Sequence, residues 1–170
     1  TLNATAFYTY GYGYYKQYKD DAELAEYLNL DTEIQEADLI REKIMRNHLG
    51  GLNASASYTT RSLDLNFGGS WSYYTCPHWG ELDWVDGMEA KAIGGRWYDN
   101  DVDKQDANLF ARANWQVARG LRLFADIQYR YVHYEAWGTN DNYIGKEGMP
   151  MQPIDVDKTY HFFNPRAGVN

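Results

Sequence analysis

Leu2-Asn3-Ala4-Thr5-Ala6-Phe7-Tyr8-Thr9-Tyr10-Gly11-Tyr12-Gly13-Tyr14 opens the chain in strict alternation. Its even positions are Leu2, Ala4, Ala6 and then tyrosines, while Asn3, Thr5, Phe7, Thr9, Gly11 and Gly13 fill the odd ones. Successive side chains of a β-strand point to opposite faces, so this period predicts a strand with one apolar and one more polar face. The period returns at Leu52, Ala54, Ala56 and Tyr58 against Asn53, Ser55, Ser57 and Thr59. Leu63, Leu65, Phe67, Trp71 and Tyr73 repeat it, as do Leu109, Ala111, Ala113, Trp115 and Val117. Leu121, Leu123, Ala125, Ile127, Tyr129 and Tyr131 follow, then Phe163, Pro165, Ala167 and Val169. Strands are therefore expected near 2–18, 49–60, 63–78, 107–118, 121–136 and 161–170. Thr60-Arg61-Ser62 and Ala118-Arg119-Gly120 make tight turns. The stretches 19–48, 80–106 and 138–161 are expected as long loops at the other end of the sheet.

The 170 residues suit about one domain. Sixteen basic against 24 acidic residues give a net charge of −8, which repels a phosphate backbone and disfavours nucleic-acid binding. No run approaches the ~18 apolar residues of a membrane helix. Sixteen Tyr, six Trp and six Phe suit strands and interfaces where a ring is apolar at one end and wet at the other. The face opposite the apolar one carries Arg112, Asp126, Gln128, Arg130 and Arg166. Charged and amide groups behind a continuous apolar face fit a lumen behind a lipid-facing wall, the alternation of an outer-membrane barrel. Tyr12, Tyr14, Tyr15, Tyr18, Trp71, Tyr73, Tyr74, Tyr129, Tyr131, Tyr134 and Trp137 cluster toward the long-loop ends like an interfacial girdle. The expected fold is all-β: an antiparallel up-and-down meander forming part of a transmembrane β-barrel, with long external loops containing short helices. Six strands are too few to close in lipid. With its abrupt start at Thr1 and its end in mid-strand, residues 1–170 read as a barrel piece of a longer chain. An isolated piece would hide its apolar face and edges by self-association.

Tyr8-Thr9-Tyr10-Gly11-Tyr12-Gly13-Tyr14-Tyr15-Lys16-Gln17-Tyr18-Lys19 resembles an ascending strand of Bacteroidetes-type TonB-dependent outer-membrane receptors. Asp38-Leu39-Ile40-Arg41-Glu42-Lys43 running into Gly50-Gly51-Leu52-Asn53-Ala54-Ser55 is similar to that family's returning strands. So is His161-Phe162-Phe163-Asn164-Pro165-Arg166-Ala167-Gly168-Val169-Asn170, where Phe-Asn-Pro-Arg-Ala-Gly is the most specific run. The resemblance spans essentially the whole chain but about six of roughly 22 barrel strands. It implies a receptor in the bacterial outer membrane that imports a metal chelate or similar large solute, such as a ferric siderophore or cobalamin. Partners so implied are outer-membrane lipid, the remainder of the barrel, a plug domain, and TonB through a plug segment that this piece does not contain. A soluble all-β carbohydrate-binding or interaction module, and a piece of a porin or adhesin barrel, are the alternatives. The alanines of the apolar face sit awkwardly with lipid, which usually meets larger side chains.

Among smaller motifs, Asp20 with Glu23 resembles a capping box, with Leu24 and Leu28 on one face of the ensuing helix. A second helix is expected from Thr32, with Ala37, Ile40 and Ile44 on one stripe and Gly50 as its stop. Asp99-Asn100-Asp101-Val102-Asp103 resembles the start of a calcium loop. Lys104 and Phe110 replace the glycine and glutamate such a loop requires, which excludes an EF-hand. Asp99, Asp101 and Asp103 stay as calcium candidates, because the family's cobalamin branch uses calcium in external loops, although a solvated acidic loop is the better reading. Cys76 has no disulfide partner. Cys76-Pro77-His78, His48, His133 and His161 show no paired spacing of a zinc site, so no metal or other cofactor is expected. The alternation places Cys76 and His78 on the polar face. Trp79, Trp84, Trp97, Tyr98 and Trp137 are the candidate ligand-binding aromatics, since loops on a rigid scaffold carry function. No phosphate loop or nucleophile motif appears, and enzymatic activity is not expected.

Overall fold

The structure, a computed structural model, describes residues 1–27, 33–89, 93–146 and 149–170. Its strands are β1 (Leu2–Glu23), β2 (Glu36–Thr59), β3 (Leu63–Thr75), β4 (His78–Val85), β5 (Arg96–Ala118), β6 (Leu121–Lys146) and β7 (Met149–Val169). All pair antiparallel in one sheet, in the order β1-β2-β3-β5-β6-β7. Strand β4 lies between β2 and β5, so β3 and β4 occupy one place in the sheet in succession. Proline has no N–H for the ladder, and the break falls at Cys76-Pro77. It is stitched on both sides: the Cys76 N–H donates to Val102 O at 2.8 Å, and Pro77 O accepts from Arg46 N–H at 3.1 Å.

The expected meander is present, and its strands run further than the apolar alternation. Most of the stretches 19–48, 80–106 and 138–161, expected as loops, are strand. The strict alternation stops in the outer halves, where apolar residues fall on both faces, as Leu39 beside Ile40 does, yet the ladder continues because each long strand still has a neighbour to pair with. The two helices of the first stretch are likewise overturned. Tyr18 pairs with Ile40, Tyr14 with Ile44 and Tyr8 with Gly50, so Ala37, Ile40, Ile44 and Gly50 all lie in β2. A partner strand of matching length overrides a weak helical stripe, because strand preference is mostly a matter of context. One 3-10 turn, Leu24–Glu26, follows β1, while Leu28 and Thr32 fall outside the described residues. Asp20 caps no helix; it sits at a bulge between Lys19 and Ala22, where Asp21 takes φ 45°. Asp38 fastens that bulge by accepting from Asp21 N–H at 3.0 Å and from the Tyr18 hydroxyl.

Among the described residues β1 pairs with β2 alone and β7 with β6 alone, so the sheet is open and has two unpaired edges. Buried apolar side chains gather far from the tight turns: Leu24, Tyr27, Leu39, Val85, Trp97, Tyr98 and Met151. Much of the remaining apolar surface is bare, as Leu2 at 83%, Leu109 at 66% and Leu52 at 56% exposure show.

Candidate functional site

Cross-strand register sorts the side chains into rows. One row of the apolar face reads Ala4, Ala54, Gly69, Leu109, Tyr129, Phe163, and another Ala6, Leu52, Trp71, Ala107, Tyr131, His161. Next outward come Tyr8, Gly50, Tyr73, Gln105, His133 and Thr159, and then Tyr10, His48, Thr75, Asp103, Glu135 and Asp157. The face thus passes from aliphatic through Tyr and His to charge within a few rows. Two histidines of this border are held alike. Tyr8 OH lies 2.6 Å from His48 Nδ1, and Tyr129 OH 2.6 Å from His161 Nδ1. Tyr10 and Tyr131 flank those imidazoles at ring separations of 5.1 and 5.4 Å. Small residues between Trp71, Leu109 and Tyr129 leave a groove of 420 Å³ along Ala54, Gly69 and Ala107.

The opposite face holds all of Arg112, Asp126, Gln128, Arg130 and Arg166 by register. Arg112 Nη2 donates to Asp126 Oδ2 at 2.8 Å, and Arg166 pairs with Asp126 from β7. Arg130 grips Asp106 through Nε at 3.0 Å and Nη2 at 2.5 Å. A 360 Å³ depression is lined by Asn66, Phe110, Arg112, Asp126, Gln128, Asn164 and Arg166. His78 pairs with Met45 and Asn100 of this face, and buried Cys76 lies 3.6 Å from His78 Nε2 through its sulfur.

Toward the far end the polar face carries a cluster of aromatic rings and cations. Gly80 pairs with Tyr98 and Glu81 with Arg96, which leaves Trp97 as the extra residue of a bulge. The bulge turns Trp97 to the same side as Tyr98, and their rings meet edge-on at 4.6 Å. Both lie over Gly80, where a Cβ would come within 2.4 Å of either ring. Tyr27 meets Trp97 edge-on at 5.1 Å. Arg41 stands 5.5 Å from the Trp97 ring centre and donates twice to Gln17 Oε1, at 3.0 and 2.7 Å. Lys43 stands 5.8 Å from the Trp97 ring and 6.0 Å from that of Tyr15, and is ion-paired with Asp141 from β6. Burial, with Asp141 and Tyr15 nearby, pushes the Tyr98 hydroxyl up to about 12, so it stays a neutral donor at physiological pH. Trp97 Nε1 is buried with no hydrogen-bond partner among the described residues. Cations over ring faces together with phenol donors can hold a planar or anionic group.

The expected aromatics therefore divide. Trp97 and Tyr98 converge, whereas Trp79, Trp84 and Trp137 follow the register of the apolar face. Trp79 is buried, with Arg46 and Arg96 at 5.6 and 4.3 Å from its ring, and donates from Nε1 to Glu81 at 2.8 Å. Trp84 and Trp137 are exposed. Trp79, Trp84, Trp97, Tyr98 and Trp137, expected in or beside loops, are all in strands. Gln17, Tyr27, Arg41, Lys43 and Asp141 were not legible as site residues. The available signal was Arg41-x-Lys43, two cations on one face of a strand, which a helical reading separates.

Asp99, Asp101 and Asp103 lie along β5 rather than in a loop, and extended backbone spreads their carboxylates instead of converging them. Arg96 pairs with Asp99, and Tyr73 OH donates to Asp103 at 2.6 Å. Burial and the charges of Asp99 and Asp103 raise the Asp101 carboxyl above its ordinary range. Among the described residues, the groups close enough to share a cation are His133/Glu135/Asp157 and Asp20/Asp21/Asp38.

Fold and site define an open, all-β antiparallel meander with one bare apolar face, one ion-paired face and an aromatic-cationic cluster. No family model, no curated protein and no solved structure matches the chain.

Proposed function

We propose that this chain is a wall segment of an outer-membrane β-barrel of the TonB-dependent receptor class, serving import of a metal chelate or similar large solute. The observation that carries the reading is the bounded apolar band. On β5 it runs from Ala107 to Trp115 and on β6 from Leu123 to Tyr131, about nine residues each, the length a tilted strand needs to cross hydrocarbon. Tyr and His border it as rings border a bilayer interface.

The border is level over β5 to β7 and lies further out on β2 and β1. The first charged side chains met on this face are Asp157, Glu135 and Asp103, all in one row. On β2 the first is Arg46, and on β1 it is Lys16, about six residues beyond that row. In this reading the polar face lines the lumen and meets a plug, and the two bare edges of the sheet are continued by further strands. The cluster around Trp97 is the solute contact: the half-buried Arg41 and Lys43 attract an anionic chelate, and the buried rings of Trp97, Tyr98 and Tyr27 hold those cations in place from behind.

Light scattering coupled to size exclusion, with and without detergent, tests the membrane reading. Self-association without detergent and a defined species in it are expected. A monodisperse monomer without detergent overturns the reading in favour of a soluble module.

A further inference from the structure

We propose that His133, Glu135 and Asp157 form a binding site for one divalent transition-metal ion of the zinc type, clamping the edge strand β7 to β6. The three residues stand on the apolar-face register, just beyond its Tyr and His border. Each offers one ligand atom, and these atoms lie within 4.8 Å of one another.

Register first exposes an electrostatic problem. Glu135 is directly opposite Asp157 on one side and Asp103 on the other, three carboxylates in one row. Like charges directly opposite each other destabilise a sheet. Elsewhere a cation answers such groups: Arg112 for Asp126, Arg130 for Asp106, Lys43 for Asp141. Among the described residues Glu135 and Asp157 have only the His133 imidazole in ion-pair reach, Glu135 at 3.2 Å from Nε2 and Asp157 at 3.8 Å from Nδ1. A bound dication removes the repulsion of the row.

His133 is also presented as a ligand. Thr159 Oγ1 lies 2.9 Å from Nδ1 and fixes the ring, as the outer partners of metal-bound histidines do, while Nε2 is aimed at Glu135. The Tyr131 ring stacks on the imidazole at 6.5 Å. One imidazole nitrogen with two carboxylate oxygens is a donor set for zinc, cobalt or nickel rather than for calcium, which takes oxygen alone. Tetrahedral bonds of ~2.1 Å put donors ~3.4 Å apart, so the site closes by turning the exposed Asp157 side chain inward. Water supplies the remaining position. The binding ring is the neutral tautomer with its proton on Nδ1, donated to Thr159 Oγ1, which leaves the Nε2 lone pair for the metal; a ring that starts as imidazolium releases its Nε2 proton to water on binding.

Titrating the full chain with Co²⁺, in the medium that keeps it dispersed, reads the site through the visible bands of the bound ion, with Zn²⁺ as competitor. One equivalent is expected to bind and to be displaced by Zn²⁺. His133→Ala and Asp157→Asn should each weaken binding about tenfold or more, and Asp64→Asn near the tight turns should not. Asp157 is largely exposed, so its variant decides the matter even if His133→Ala folds poorly. Failure to perturb the aqueous Co²⁺ spectrum, or binding indifferent to both variants, overturns the proposal. So does binding lost through Asp21→Asn alone, which places the ion at the acidic bulge of β1.

Discussion

At the scale of single residues, the polar face pairs phenylalanine with glycine repeatedly. Phe7 faces Gly51, Phe110 faces Gly68 and Phe124 faces Gly168. A ring laid over a glycine covers the backbone there, a known remedy for glycine's weakness in strands. A Cβ at Gly168 would sit 2.2 Å from Phe124 Cε1, whereas one at Gly51 would meet both Phe7 Cζ and Trp71 O at 2.6 Å. A ring swings aside and a backbone carbonyl does not. Gly51→Ala should therefore cost about 1–3 kcal/mol in denaturant unfolding, and Gly168→Ala distinctly less. Equal costs would refute the distinction. A second residue-scale expectation concerns pH. Burial raises the Asp141 carboxyl, but the hydrogen bond and charge of Lys43 outweigh it and hold it below the usual range. A carboxyl depressed in the fold contributes stability that is present above its unfolded value and lost as pH falls through the folded one. Hydrogen exchange in 136–146 should accelerate only in acid, below about pH 4, and Asp141→Asn should abolish that step. A step centred near neutrality would assign it to another group.

At the scale of the element, each strand has an inner half legible from its alternation and an outer half that was not. Leu121, Leu123, Ala125 and Ile127 announce a strand because one face is wholly apolar. In β2, Ala37, Ile40 and Ile44 lie at helical spacing, while Arg41 and Lys43 make the other face polar but interrupt no pattern a helix would dislike. Only the partner strands decide, and a single segment does not display its partners. The site followed the same division. Trp97 and Tyr98 were legible as aromatics of interest, but their convergence depends on a bulge opposite Gly80, and Arg41 reaches them only once β2 is a strand. The two halves of a strand should also respond differently to charge. Leu109→Arg, inside the band one row from its outer end and 66% exposed, should cost about 1–3 kcal/mol in detergent or lipid, whereas Gln128→Arg on the polar face should cost little. Indifference to Leu109→Arg would argue that water, not hydrocarbon, meets that face.

At the scale of the whole molecule, the alanines of the apolar face have a place in the architecture. Ala54 and Ala107, with Gly69, floor a groove walled by Trp71, Leu109 and Tyr129, so a face that reads as small in sequence is corrugated in space. The face between its edges is continuous through β2, but the third place in the sheet is divided between β3 and β4 at Cys76-Pro77. The chain's single thiol lies buried in that division, against Val102 O through its own N–H. The division separates the half with the apolar band from the half that carries the aromatic-cationic cluster. A seam of this kind is a fault line with a built-in gauge: a parting of the cluster-bearing half from the half with the apolar band uncovers Cys76, and an alkylating reagent would count each opening.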